Sequence, residues 1–195
     1  MFLGGVFVGN LAYTENYDVE IINGREFMMS PRPAISHIRV AGNIYTIFAN
    51  FLKGKKCEAF PDGTELHLDE ENVFIPDAMI VCNPDIVQKQ GIFGIPDLVV
   101  EVLSPSTAKN DIGEKKEVYE KHGVKEYWIV SPIARSIEVY LLREGKFHLD
   151  EVYHGYTDED WTDMKESERE NAPQFLRVSI YEDFVVSIKD VFERL

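Results

Sequence analysis

The stretch PDLVVEVLSPS, Pro96 to Ser106, sets two carboxylates, Asp97 and Glu101, into a run that otherwise reads as a buried β-strand. An ionised carboxylate in apolar surroundings is costly unless it is paired, hydrogen-bonded or bound to a metal. Strand alternation puts Asp97, Val99, Glu101 and Leu103 on one face and Leu98, Val100 and Val102 on the other. Four residues at about 3.3 Å each separate the two acids by roughly 13 Å, too far to share one metal ion whose oxygen ligands lie about 2.0–2.6 Å away. Glu101 therefore needs a partner from another strand. Asp77, in IPDAMIV, is the candidate, because strands adjacent in sequence usually neighbour one another and the next strand lies about 4.8 Å away.

Working outward, SPS stops this strand and DIGEKKEVYEKHG predicts a helix, with Asp111 as N-cap, Glu114 completing a capping box and Gly123 as the stop. VKEYWIVSP reads as a further strand with Tyr127 and Trp128 in the core, and SIEVYLLREGKFHLDEVY as a hairpin. VSIKDVFERL predicts a short closing helix. Upstream, YDVEIINGREFMMSP places apolar residues about Asn23-Gly24, a strong hairpin signal. AISHIRVAGNIYTIFANFL carries Ile38, Ala41, Ile44, Phe48 and Phe51 at helical spacing. Short strands follow at Cys57–Phe60 and Glu65–Leu68, and NVFIPDAMIVCNP reads as one central strand. The fold class is α+β with an α/β-like core: a central mixed sheet flanked by helices, with an N-terminal β-hairpin.

The chain's 195 residues, 45% hydrophobic and 12% aromatic, suit one folded domain over residues 1–195. No apolar run is long enough to span a membrane, and MFLGGVFVGN lacks the basic start of a secretory leader, so a cytoplasmic protein is expected. Cys57 and Cys82 are far apart and form no CxxC pair, which predicts reduced, partly buried thiols. A formal charge of −14 excludes nucleic-acid binding through a broad basic face. Nine acids against two bases fall between Asp150 and Glu170, so the acidity concentrates in what reads as one loop and need not describe the functional face.

Asp77 and Glu101 on neighbouring strands make a hard oxygen site suited to Mg²⁺ or Mn²⁺, the kind that phosphodiester hydrolysis commonly uses. A lysine beside such a site can orient water or neutralise charge in the transition state. Lys115 is the candidate, in the first helical turn after the Glu101 strand, where the helix dipole disfavours a cation. Tyr119 lies one turn further on the same face.

IPDAMIV, GIPDLVVEVLSPST, DIGEKKEVYEKHGVKEYWIVSP and EIINGREFMMSPRPAISH together resemble the Uma-type "putative restriction endonuclease" family of bacteria, within the PD-(D/E)XK nuclease superfamily. The likeness runs from about Tyr17 to Leu149 and is densest from Pro96 to Pro132. It implies a restriction-endonuclease-like core, a Mg²⁺-dependent DNA-cleaving ancestry and, by analogy with nucleases that cut both strands, a homodimer. On that match Asp77 takes the place of the superfamily aspartate and Glu101 that of the acid in (D/E)XK. Leu103 stands where the superfamily lysine would be, and the resemblance implies that Lys115 replaces it from the helix.

The remaining candidates carry two readings each. Asp97, after Pro96, reads as a strand-initiating residue bonded to its own backbone, and only secondarily as a site residue. His37 shares the stripe of Ala41, Ile44 and Phe48 and reads as a boundary-core histidine or a site residue. Glu20 is either an extension of the metal site or a surface charge on the hairpin. Ser104 and Ser106 lie in no GxSxG elbow. The leading reading is a metal-dependent endonuclease acting on DNA. The rival, which Leu103 and the charge of −14 favour, is a catalytically inactive nuclease-fold module for nucleic-acid binding or regulation.

Overall fold

The computed structural model of the chain describes residues 19–28, 33–104 and 108–195, without the side chain of Lys109. The opening decapeptide, Pro105 and Ser106 lie outside the described residues. Asn23 and Gly24 both take positive φ (50° and 72°), which folds β1 (Val19–Ile22) back on β2 (Arg25–Met28) with the expected hairpin geometry. Helix α1 (Ile35–Leu52) follows, and its buried stripe is Val40, Ala41, Ile44, Phe48 and Leu52. Ile38, expected on that stripe, is 51% exposed because it lies to its side in the first turns.

Next come β3 (Glu58–Pro61), β4 (Leu66–His67), β5 (Val73–Phe74) and β6 (Ala78–Val81). The single strand expected over NVFIPDAMIVCNP is thus divided, and its two halves join different sheets. Pro76 lies in the break, where its missing N–H leaves no ladder bond to lose. After β7 (Ile92–Phe93), β8 (Leu98–Val102) is the strand of the opening motif and is buried throughout.

The connection that follows differs from the expected single helix. It comprises α2 (Ala108–Ile112) and α3 (Glu114–His122), separated at Gly113 (φ −103°, ψ −103°). Asp111 does not cap α3. It lies inside α2, and α3 begins without a side-chain cap. Glu114 bonds instead to Arg25 of the hairpin. Gly123 ends α3 in the left-handed region (φ 90°), as its position in the sequence predicts.

The chain then runs through β9 (Glu126–Ser131), β10 (Ser136–Arg143), β11 (Lys146–His154), α4 (Asp158–Asp163), α5 (Glu166–Asn171), β12 (Phe175–Arg177), β13 (Val185–Ser187) and α6 (Ile188–Val191). The acidic segment is therefore not one loop: it forms the end of β11 and two short helices, the first capped by Thr157 and Asp160 acting reciprocally.

Among the described residues the principal sheet has the order β11-β10-β9-β8-β6-β3, a smaller one the order β2-β1-β5-β4-β7, and β12 pairs with β13. In the principal sheet β8 and β9 are parallel, joined across α2 and α3, and the remaining neighbours are antiparallel. The expected mixed sheet flanked by helices is present. Its two faces are set by alternation along β8. Leu98, Val100 and Val102 pack under α1 with Phe48, Trp128 and the C-terminal elements. Val99 faces the other way, with Tyr119 of α3, Tyr127 and Phe74 of the smaller sheet.

Cys57 and Cys82 are not free thiols but a disulfide, with S–S 1.96 Å. They immediately precede β3 and follow β6. The register that sets Glu58 opposite Val81 brings two residues separated by 25 positions into apposition.

Candidate active site

Strand β6 runs antiparallel to β8 with Ala78 opposite Val100, Met79 opposite Val99 and Ile80 opposite Leu98. Asp77 immediately precedes β6, just beyond the last paired residues, and lies near enough to Glu101 for its charge to act on that carboxyl. The Val102 backbone N–H donates to Asp77 Oδ2 at 2.6 Å, fixing the aspartate to the end of β8. On the other oxygen, His37 Nε2 lies 2.7 Å from Asp77 Oδ1. Both side chains are only 12% exposed. His37 is thus more than a boundary-core residue, since it touches the candidate ligand directly. Burial works against its imidazolium, but the bond and charge of Asp77, helped by Asp62 and Asp111, raise its pKa above the usual histidine value.

Glu101 faces α3. Its Oε1 accepts from the Tyr119 hydroxyl at 2.8 Å and lies 3.0 Å from Lys115 Nζ. The same ammonium is 2.9 Å from Glu20 Oε1 and 3.3 Å from Asp111 Oδ1. Glu20, on β1, also accepts from the Ile75 N–H at 2.9 Å, which ties the hairpin to the segment leading into β6. Lys115 and the three acids around it are each at most 4% exposed. Glu20 is therefore a member of this cluster and not a hairpin surface charge. Lys115 is not on a solvated face.

Three carboxylates around one ammonium leave a buried excess of negative charge. Burial, the first cause, pushes the Glu101 pKa well up; Lys115 opposes that, while Asp111, Glu20 and Asp77 add to it. For Lys115 burial acts to lower the pKa, yet Glu101, Glu20 and Asp111 outweigh it and hold the amine well above the usual lysine value. The ammonium consequently remains charged at neutral pH. It can donate hydrogen bonds and neutralise phosphate charge, but it cannot act as a general base.

Asp97 does not join this cluster. Its Oδ2 accepts from the Cys82 N–H at 2.8 Å and its Oδ1 from Lys125 Nζ at 2.7 Å, so it fastens the end of β6 to the start of β8. These are bonds to a neighbouring strand and a lysine, in place of the local backbone bond expected of a strand-initiating aspartate. Asp111 is the member that sequence reasoning assigned to another role. Its spacing of four residues before Lys115 is the signal that could have placed it here.

Among the described residues no three His, Cys, Asp or Glu side chains converge on one metal position. That does not conflict with the chemistry of Mg²⁺, which commonly takes one or two carboxylates and keeps several waters or substrate oxygens. Asp77 and Glu101 supply such a pair, beside a cluster that already carries uncompensated negative charge. The donor set fits a hard divalent cation.

A protein from Anabaena variabilis, described as a putative nuclease belonging to DUF820, has a crystal structure that superposes with TM-score 0.64 over 89% of each chain, at 19% identity, and so shares the fold. The uncharacterized protein slr1290 of Synechocystis sp. is 30% identical over 128 residues, 65% of this chain. The matched region spans 60% of the length of that relative. The model of the Uma2 family, described as "Putative restriction endonuclease", matches residues 10–166, a span that contains every residue of the buried cluster, and the chain belongs to that family.

Proposed function

We propose that this chain is a metal-dependent endonuclease that hydrolyses DNA phosphodiester bonds, with Asp77 and Glu101 holding Mg²⁺ or Mn²⁺. The observation that supports the reading is the bond from the Val102 N–H to Asp77, which ties this aspartate to the residue after Glu101, next to the buried carboxylates around Lys115. When bound, the ion supplies Lewis acidity at a phosphoryl oxygen and lowers the pKa of the attacking water. The chain's own residues do the rest. Val102 N–H and His37 orient Asp77. The Tyr119 hydroxyl orients Glu101 and keeps its own proton, since burial and then Glu101 hold its pKa well above the usual tyrosine value. Lys115, charged and held among three carboxylates, offsets negative charge that develops on the phosphate.

Titration of Mn²⁺ into wild type, Asp77→Ala and Glu101→Ala by calorimetry tests the site without knowledge of the substrate. Saturable binding lost in both variants, with circular dichroism unchanged, is the expected result, followed by Mn²⁺-dependent nicking of supercoiled plasmid. Unchanged affinity in either folded variant contradicts the assignment. A second reading, a nuclease-fold module that binds nucleic acid without cutting it, is favoured by one observation: Lys115 is fully engaged by carboxylates and Leu103 occupies the superfamily lysine position. DNA binding without metal-dependent cleavage distinguishes it.

A further inference from the structure

The first turn of α1 carries His37 against Asp77. Among the described residues His37 has one hydrogen-bond partner, Asp77 Oδ1 at 2.7 Å from Nε2, and its Nδ1 is buried without one. A histidine serving only to tether two elements gains most by using both ring nitrogens. One that leaves a buried nitrogen idle forgoes about half of that capacity. The bond also determines the tautomer, because a neutral ring donating from Nε2 carries its proton there.

At the other end, Asp77 has one donor on each oxygen: His37 on Oδ1 and the Val102 N–H on Oδ2. An ionised carboxylate offers about four lone-pair sites, so one remains on each oxygen. Two donors from different elements immobilise the carboxylate plane while leaving both oxygens able to bind a cation. Partners of this kind around a ligating group set its orientation, and their loss typically weakens metal binding about 10- to 100-fold.

We propose that His37 is the positioning residue of the divalent-cation site, holding Asp77 in the orientation in which it binds the ion together with Glu101. This rests on the reading of Asp77 as a cation ligand. The test uses His37→Ala, His37→Gln and His37→Asn, each titrated with Mn²⁺ by calorimetry and each melted thermally without metal. A glutamine amide nitrogen overlays Nε2 and can still donate to Asp77, whereas that of asparagine overlays Nδ1 and falls short.

Mn²⁺ affinity about 10- to 100-fold weaker in His37→Ala and His37→Asn, and recovered in His37→Gln, is the expected pattern. Should His37→Ala not fold, the contrast between the glutamine and asparagine variants carries the same information, because both retain a polar side chain of similar bulk. Wild-type binding that all three variants preserve, or a glutamine variant as weak as asparagine, overturns the role of His37 alone. Failure of the wild-type chain itself to bind Mn²⁺ overturns the cation reading of Asp77, and this inference with it.

Discussion

Glu101 and Lys115 show how the site's chemistry is bound to its stability. A carboxylate held in a buried excess of like charge is a standing cost, which packing elsewhere must offset. Glu101→Gln keeps the Oε1 acceptor for Tyr119 and Lys115 while removing one negative charge. It should leave the metal-free protein as stable as wild type, or more stable by about 1–2 kcal/mol in urea unfolding, while abolishing Mn²⁺ binding. Destabilisation with intact Mn²⁺ affinity would mark Glu101 as a structural acid. In the sequence GEKKEVY the two lysines are indistinguishable in composition. A helix turns about 100° between consecutive residues, so only one can point inward. Packing selects Lys115 for the carboxylates and lays Lys116 over the Tyr140 ring, 3.3 Å from its centroid. That Asp77 and Glu101 lie buried at neighbouring strand ends was legible because alternation and strand adjacency are local rules. Asp111 and His37 were not, because their partners are chosen by which elements meet.

At the scale of elements, α1 and β8 carry most of what positions the site. Phe48 fills the layer between α1 and the principal sheet, with its ring edge-on to Trp128 (5.3 Å) and to Phe184 (5.7 Å). Phe48→Ala should cost about 3–5 kcal/mol of unfolding free energy, read from the urea midpoint, because the cavity it leaves is walled by β-strands that cannot collapse into it. Mn²⁺ affinity of the folded fraction should change little, since Phe48 belongs to the opposite face from Glu101. The apolar stripe of α1, the Asn23-Gly24 hairpin and the stop at Gly123 were all readable from periodicity and turn chemistry. The break at Gly113 was not. A capping-box pattern and an interior aspartate compete for the same residues, and the buried ammonium of Lys115 wins Asp111.

Across the whole molecule, a buried acid outside the candidate site joins the sheet to the C-terminal segment. Glu126 is fully buried at the start of β9; it accepts from Trp128 Nε1 (2.6 Å) on one oxygen and from the Ser179 N–H (2.8 Å) and hydroxyl (2.5 Å) on the other. Burial raises its pKa, and the Ser179 and Trp128 bonds only partly oppose this. A raised folded-state pKa means that the native chain holds this proton more tightly than the unfolded chain. The associated stability is complete below the unfolded value and is lost as pH rises through the folded one. Glu126→Gln should flatten that part of the decline in melting temperature as pH rises above the ordinary glutamate value. Glu126→Ala should cost about 2–3 kcal/mol at acidic pH, where the wild-type carboxyl contributes fully, by stranding the donors of Trp128 and Ser179. A wild-type pH profile unchanged by the glutamine substitution would contradict this assignment. By itself the sequence determined the alternation along β8, the hairpin, the helical stripes and the two carboxylates worth watching, because each follows from the period of a local backbone or the geometry of a turn. Only the tertiary structure decided that Cys57 meets Cys82, that Lys115 is interior, that Asp111 and Glu20 surround it, and that His37 reaches Asp77. Those are pairings between residues distant along the chain, and they exist only once register and packing have brought their elements together.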